Sequence, residues 1–278
     1  MPAIKKILFP VDFSESSIAA ARYVETIAGC FEAEVMLLHV VGMGEHTLAE
    51  ELLPGRQADL DAFLADEFKY FTTHRICVTG DPTIAIQDAA GRWHPDLVMM
   101  PTHGTGVFRR LLLGSVTART LQRLSCPVWT SAHLKAASRL EEIHLRRILC
   151  ALDLRQGSGC VLEWAAWLAG ECQAELGIVH ASGELPSEYY GWDIEKEYED
   201  ELKAEGKRQI GKLQSSAGSH GEVFVTSGYP ATVVARTAAD FNADLLVMGR
   251  HDVPGLAGYL RHNDYAILRD SPCPVISV

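Results

Sequence analysis

The sequence lacks several features that would place it in a familiar class at once. No apolar run reaches the roughly 18–20 residues that a membrane-spanning helix requires, so we expect no membrane partner. The seven cysteines are odd in number and contain no CxxC pair, which is typical of reduced thiols in a cytosolic protein and does not indicate a metal site. The motifs GxxxxGK(S/T), GxGxxG, GxSxG and HExxH are also absent, which excludes the common nucleotide loops, the hydrolase elbow and the zinc-protease helix.

Basic residues are scarce relative to acidic ones. The chain has 25 Lys and Arg against 36 Asp and Glu, a net charge of −11, and we expect no nucleic-acid partner because such a protein needs basic surface to displace counterions. A nucleotide is compatible with this charge, since helix N-termini and backbone amides hold phosphate without basic side chains. The opening stretch MPAIKKILFPVDFSES lacks a small-residue cleavage site, so we expect no signal peptide and a cytoplasmic location.

The chain repeats its own sequence. KKILFPVDFSESS, from Lys5, resembles RRILCALDLRQGS, from Arg146, and later segments correspond in the same order: VMLLHV with LGIVHA, VTGDP with TSGYP, PDLVMM with ADLLVM, and SCPV with PCPV. Five collinear matches indicate a tandem duplication. They predict two domains of similar length, residues 1–138 and residues 139–278.

Short apolar runs alternate with helical patterns within each copy. In the first copy the predicted strands are Ile7–Val11, Val35–Val40, Arg75–Val78, Leu97–Met100 and Val128–Ser131. The predicted helices are Ser14–Cys30, Ala58–Phe71, Thr83–Ala90 and Ser115–Leu124. Strands rich in Val, Ile and Leu that alternate with helices predict an α/β fold with a parallel sheet covered on both faces.

The acidic residues are unevenly distributed. Nine of them lie between Glu184 and Glu205, and the second copy carries most of the net negative charge. One interpretation is a solvated helix face, and the alternative is a lid that binds a partner.

The segment after the fourth predicted strand is the strongest candidate for a ligand site, because ligands of doubly wound sheets bind beyond the carboxyl ends of the strands. It reads Pro101-Thr102-His103-Gly104, nine further residues, and then Gly114-Ser115-Val116-Thr117 at the predicted start of a helix. Free amides and a hydroxyl at a helix start favour an anion, and the two glycines allow close backbone approach. Arg109 and Arg110 would add positive charge near a polyphosphate. The alternative is an ordinary glycine turn with a serine N-cap.

The order of these motifs resembles that of the universal stress protein family over nearly all of both copies. The motifs are the aspartate after the first strand, LLHV, GxP, PDLVMM, THG, GSVT and CPV. The resemblance implies two tandem open five-stranded parallel sheets with helices on both faces, a Rossmann-like fold related to adenine-nucleotide hydrolases. ATP-binding members of the family carry G-x2-G-x9-G-(S/T). Gly104, Gly114 and Ser115 match that pattern, whereas Pro101 replaces the first glycine and removes one backbone N–H.

The resemblance also implies an adenine-nucleotide site in the first copy, with ATP as the ligand and Mg²⁺ as a candidate companion. Pro10, Val11 and Asp12 would face adenine and ribose, and Val40 would flank adenine. The residues implied near ribose and the phosphates are Pro101, Thr102, His103, Gly104, Arg110, Gly114, Ser115, Val116 and Thr117. For Asp12 the alternative is a cap for the following helix. We expect His39 and His180 to be packed residues with satisfied rings.

The second copy departs further from the family pattern. It reads Gly249-Arg250-His251-Asp252, and His262 and Asn263 stand where Gly-Ser is expected. A carboxylate at Asp252 would repel phosphate. We predict that this copy does not bind ATP in the manner of the family and is a structural or regulatory half.

The resemblance implies a stress-response protein that binds ATP or another adenine nucleotide in its first domain and acts as a nucleotide-responsive regulator of unidentified protein partners. One alternative is a nucleotide-independent interaction protein in which both sites are structural, and another is a true hydrolase or transferase. No catalytic constellation is recognisable, so we expect weak ATPase activity at most. The last strands of the two copies are predicted to pair as an intramolecular pseudo-dimer, which leaves a homodimer through other surfaces open.

Overall fold

The computed structural model describes residues 3–42, 49–102, 114–131, 143–183, 192–253, 256–259 and 262–278. The chain divides into two compact units. The first comprises Met1–His144 and His251–Leu260, and the second comprises Leu145–Arg250 and Arg261–Val278. The domain boundary between residues 138 and 139 stays a prediction. Within the described residues, no helix is both long and apolar enough to cross a bilayer.

The first unit contains five parallel strands in the order β3-β2-β1-β4-β5. The strands are β1 Lys6–Val11, β2 Glu34–Val41, β3 Thr73–Thr79, β4 Leu97–Met99 and β5 Val128–Thr130. The helices are α1 Glu15–Phe31, α2 Ala49–Ala62, α3 Pro82–Trp93 and α4 Ser115–Arg123. The central strands β1 and β4 are almost wholly buried, as expected for a parallel sheet covered by helices.

The second unit repeats this arrangement with the strand order β12-β9-β6-β7-β8, again parallel throughout. Its strands are β6 Arg147–Ala151, β7 Glu175–Ser182, β8 Glu222–Ser227, β9 Leu245–Met248 and β12 Val275–Ser277. Its helices are α5 Ser158–Glu171, α6 Trp192–Ala217, α7 Pro230–Asp240 and α8 His262–Asp270. The predicted α/β fold with five parallel strands in each copy is confirmed.

A short antiparallel hairpin follows β9 in the chain. Its strands are β10 His251–Val253 and β11 Leu256–Tyr259. The hairpin is counted with the first unit, where β11 lies against α4.

The predicted helix Ala58–Phe71 is wrong in its bounds, because α2 ends at Ala62 and turns follow it. Arg75 of β3 explains this end. Its guanidinium donates hydrogen bonds to three carbonyl oxygens, those of Leu60, Phe63 and Leu64. A basic side chain therefore supplies hydrogen-bond donors to backbone carbonyls at the end of α2 and in the turns that follow it.

An aspartate fastens the start of the first strand to the start of the fourth in each unit. Asp96 Oδ2 accepts hydrogen bonds from the backbone amides of Lys5 and Lys6, at 2.8 and 3.0 Å. Asp244 Oδ2 does the same for the two arginine amides that begin β6, at 2.8 and 2.9 Å. The aspartates of PDLVMM and ADLLVM therefore serve the fold.

The repeated basic pair also has a structural role. Lys6 Nζ donates to the carbonyl oxygen of Trp93 at 3.4 Å and lies 5.5 Å from the centre of that ring. Arg147 Nη1 donates to the carbonyl oxygen of Phe241 at 3.3 Å, and its guanidinium carbon lies 5.9 Å from that ring. In both units a cation therefore satisfies a carbonyl at the C-terminal end of the helix before the fourth strand, where the helix dipole favours positive charge.

A buried carboxyl group lies on α1. Glu25 is 7% exposed, and its Oε2 has no hydrogen-bond partner within the described residues. Burial raises the pKa of Glu25, the nearby Glu67 raises it further, and Arg22 opposes the shift. The folded protein therefore binds more protons than the unfolded chain between pH 4.5 and this raised pKa, so stability falls as the pH rises through that window.

We predict that Glu25→Gln stabilises the protein by about 1 kcal/mol above this window, because it removes the cost of ionising a buried group. The gain should vanish below pH 4.5, the ordinary Glu pKa, where the carboxyl is protonated in both states. Urea unfolding of the wild type and the variant, carried out below pH 4.5 and again above the raised pKa of Glu25, measures this difference in the free energy of unfolding. The same change at the exposed Glu163 of α5 is the control. A gain that is equal at both pH values would contradict the assignment.

Candidate functional site

The candidate site lies where the strand order of the first unit reverses. The chain runs from β1 to β2 and β3 on one side, and β4 and β5 lie on the other. In a doubly wound sheet, this reversal opens a crevice at the carboxyl ends of the two strands that flank it. Here those ends are Val11-Asp12 after β1 and Pro101-Thr102 after β4.

Asp12 has a defined structural role. Its Oδ1 accepts hydrogen bonds from the Ser14 amide at 3.1 Å and from the Ser17 hydroxyl at 2.8 Å. Ser14 is the N-cap of α1, as predicted, and its hydroxyl accepts from the Ser17 amide at 3.2 Å. Asp153 makes the corresponding contacts with the start of α5. Asp12 therefore supports the start of α1, whose N-cap is Ser14, and the residue as a whole stays exposed at the sheet edge.

Asp12 is followed by an aromatic cluster. Phe13 has a left-handed φ of 61°, and its ring lies 4.2 Å from the His39 ring and 5.0 Å from the Phe63 ring, measured between centres. His39 Nδ1 donates to the Val11 carbonyl oxygen at 2.9 Å. His180 Nδ1 makes the equivalent bond in the second unit, at 2.8 Å. Both histidines are half-buried and hydrogen-bonded through Nδ1, which agrees with the prediction that they are packed residues.

The residues implied to flank adenine occupy neighbouring strand ends. Pro10 and Val11 pair in register with the carboxyl half of β2, next to Val40. Val11 is buried, whereas Pro10 and Val40 are half-buried. These positions are compatible with one wall of a ligand site.

The end of β4 is bonded to its surroundings through Thr102, which is 1% exposed. Its amide and its hydroxyl both donate to the Ser131 carbonyl oxygen, at 3.2 and 2.7 Å. Its own carbonyl oxygen accepts from the Gly114 amide at 2.8 Å. Thr117 adds a bond from its hydroxyl to the Pro101 carbonyl oxygen at 3.1 Å. Together these bonds hold the first turn of α4 against the end of β4.

Gly114 is required by a close approach. A Cβ at this position would lie 2.6 Å from the Thr102 carbonyl oxygen. Its φ of −54° is ordinary for any residue, so the absence of a side chain is what matters here.

The first turn of α4 leaves donors for an anion. The first bond within the helix runs from the Ala118 amide to the Gly114 carbonyl oxygen, and Gly114 has no side chain to cap the helix. In the described part of the chain, no hydrogen bond satisfies the amides of Ser115, Val116 and Thr117. Ser115 is exposed. This turn can therefore present three amides and one hydroxyl to a phosphate.

Three of the implied site residues, His103, Gly104 and Arg110, lie outside the described residues, as does Arg109. Among the described residues, no cluster of three or more His, Cys, Asp and Glu side chains is placed to hold a metal ion.

Sequence reasoning missed two residues that position the site. Ser17 holds the Asp12 carboxylate, and the same spacing recurs in the second copy as Asp153 and Ser158, so the repeat contained this signal. Ser131 accepts two bonds from Thr102 through its backbone carbonyl, and no sequence pattern marks such a contact.

In the second copy, Gly249 follows β9 at a point of close packing. A Cβ on Gly249 would lie 2.8 Å from Val161 Cγ2. The backbone after it forms the β10–β11 hairpin, and α8 begins at His262. Asp264 of α8 is buried, with 6% of its surface exposed. The predicted loss of ATP binding in this copy stays a prediction.

Comparison with known proteins places this geometry in a family. A family model described as the universal stress protein family matches residues 3–131 and again residues 144–278. The chain belongs to the universal stress protein family, with two copies of the family domain in tandem.

Individual relatives agree with this assignment. Universal stress protein MJ0531 of Methanocaldococcus jannaschii is 33% identical over 135 residues, which cover 45% of this chain and 79% of the relative. Universal stress protein A homolog 1 of Coxiella burnetii is 31% identical over 140 residues, covering 49% and 97%. The crystal structure of a universal stress protein from Archaeoglobus fulgidus matches with a TM-score of 0.76 at 21% identity, over 98% of this chain and 97% of that one. At that identity the structural match shows the fold alone.

We predict that Gly114→Ala destabilises the protein by about 1–3 kcal/mol, because the added methyl collides with a backbone carbonyl that has little room to move. Gly91→Ala in α3 is the matched control. Nothing lies within 4 Å of its added Cβ, so it should stabilise by about 0.5–1 kcal/mol through helix propensity. Denaturant unfolding measures both changes, and equal effects of the two substitutions would rule out the steric explanation.

Proposed function

We propose that the first copy binds an adenine nucleotide, with ATP as the first candidate, and that the protein acts as a nucleotide-responsive member of the stress response with the cytoplasm as its expected location. The observation that carries the proposal is the first turn of α4. Its three amides and the Ser115 hydroxyl are held at the carboxyl end of β4, beside the crevice where the strand order reverses.

Affinity at such a site comes from backbone donors more than from side-chain charge. The helix dipole adds to the attraction at an N-terminus, so an acidic protein can still hold a triphosphate. Pro101 supplies no N–H, so phosphate recognition relies more on the remaining donors, among them the amides of α4 and the Ser115 hydroxyl.

The adenosine end has a consistent location. Asp12 and Val40 lie at the carboxyl ends of β1 and β2, which are adjacent strands. The exposed carboxylate of Asp12 can accept hydrogen bonds from ribose hydroxyls while it keeps its bonds to Ser14 and Ser17, because an ionised carboxylate has about four acceptor sites. Phosphate and adenosine would then lie on either side of one crevice.

Mg²⁺ fits this site only as a companion of the nucleotide. Ser115 is the one hydroxyl of the first turn of α4 that is exposed, and Mg²⁺ usually takes its remaining ligands from phosphate oxygens and water. Binding is the proposed activity, and no residue is assigned a catalytic role.

A second candidate function is supported by one observation. The hydroxyls of Thr102 and Thr117 are both used within the protein, which is also the arrangement of a purely structural loop. If the loop is purely structural, the chain is a nucleotide-independent interaction protein.

We predict that calorimetric titration with ATP and Mg²⁺ gives one bound nucleotide per chain. Ser115→Ala should weaken binding about tenfold, because a hydrogen bond to a charged phosphate is lost. Asn263→Ala, at the corresponding helix start of the second copy, is the matched control and should leave the affinity unchanged.

Thermal unfolding distinguishes the two candidate functions. A ligand that binds only the folded state must raise the melting temperature, so saturating ATP, ADP or AMP should do so for this protein. A melting temperature that none of the three changes would contradict nucleotide binding and favour the interaction protein.

A further inference from the structure

The hydroxyl of Thr117 is already committed. It donates to the Pro101 carbonyl oxygen at 3.1 Å, and the residue is 3% exposed. A threonine hydroxyl has a single proton to donate. A phosphate oxygen is itself an acceptor at neutral pH, so Thr117 cannot donate to phosphate while it holds Pro101.

The hydroxyl of Thr102 is committed in the same way. Its proton goes to the Ser131 carbonyl oxygen at 2.7 Å, and the side chain is buried. The Gly114 amide is also used, because it donates to the Thr102 carbonyl oxygen at 2.8 Å. Of the residues from Gly114 to Thr117, this leaves the hydroxyl of Ser115 and the amides of Ser115, Val116 and Thr117 for a ligand.

We propose that Thr117 is a positioning residue that fixes the first turn of α4 through the Pro101 carbonyl, and that its hydroxyl is not a phosphate ligand. This inference rests on the proposed nucleotide site. Together with the bond from Gly114 to Thr102, the Thr117–Pro101 bond forms a two-bond clamp between the end of β4 and the start of α4. The clamp sets the direction in which the free amides point.

The clamp also explains how proline fits at position 101. Proline lacks an N–H but keeps its carbonyl oxygen, and the carbonyl is the group that Thr117 uses. A restricted φ at this residue helps to keep that oxygen in place. Thus the residue that departs from the glycine pattern has a role in the same site.

The test compares Thr117→Val, Thr117→Ser and Ser115→Ala. The valine variant keeps the shape and removes the hydroxyl, whereas the serine variant keeps the hydroxyl. Without nucleotide, Thr117→Val should speed hydrogen exchange of the Gly114 amide about tenfold and lower the melting temperature, because local opening becomes easier. Thr117→Ser should restore both values, and Ser115→Ala should change neither.

With ATP and Mg²⁺, Thr117→Val should weaken binding and Thr117→Ser should restore it. Ser115→Ala should weaken binding with no effect on the protein alone. The inference is overturned if Thr117→Val weakens ATP binding as much as Ser115→Ala while Gly114 exchange and the melting temperature stay at wild-type values, since that result identifies a direct ligand.

Two further outcomes are also decisive. If the wild-type protein binds no ATP, the proposed function fails, and exchange at Gly114 still decides whether Thr117 holds the helix start. If Thr117→Val does not fold, Thr117→Ser carries the test. Its Gly114 exchange must then stay near the wild-type rate, and a rise of about tenfold overturns the inference.

Discussion

The hydrogen bond from the Gly114 amide to the Thr102 carbonyl oxygen is the contact on which the candidate site depends. At 2.8 Å, it brings the start of α4 so close to the end of β4 that no side chain fits at position 114. The first turn of the helix then projects its free amides over the carboxyl end of the sheet. Because β1 and β4 flank the reversal in strand order, the same contact places those amides beside the crevice that leads to Asp12. The anion affinity that we propose for this chain would thus be a consequence of backbone packing.

Comparison of the two units separates what the fold needs from what a ligand needs. The aspartate that ties the first and fourth strands, the cation on the helix carbonyl and the histidine on the first strand are present in both. These contacts therefore stabilise the fold in both copies of the domain. The candidate ligand motif differs in sequence, since Asp252 and His262 of the second copy stand where the first copy has Gly104 and Gly114. The sequence of the candidate ligand site is therefore a part in which the two copies diverged.

The repeat and the parallel α/β fold were predictable from sequence because apolar strand runs and helical periodicity are local signals. The end of α2 was not, since it depends on Arg75, which reaches back from the next strand. Asp12 could be assigned two roles because a carboxylate can cap a helix and contact a ligand with the same atoms, and only the structure shows the contacts with Ser14 and Ser17. Thr117 matched a ligand position by motif, but its partner, the Pro101 carbonyl, becomes visible only when strand and helix are placed in space.

The most direct test of nucleotide binding in the first copy is an amide-detected NMR titration with ATP and Mg²⁺. The amides of Ser115, Val116 and Thr117 should shift on binding and saturate together. The corresponding amides at the start of α8, Asn263, Asp264 and Tyr265, should keep their positions. Equal shifts at both helix starts, or none at either, would contradict the account.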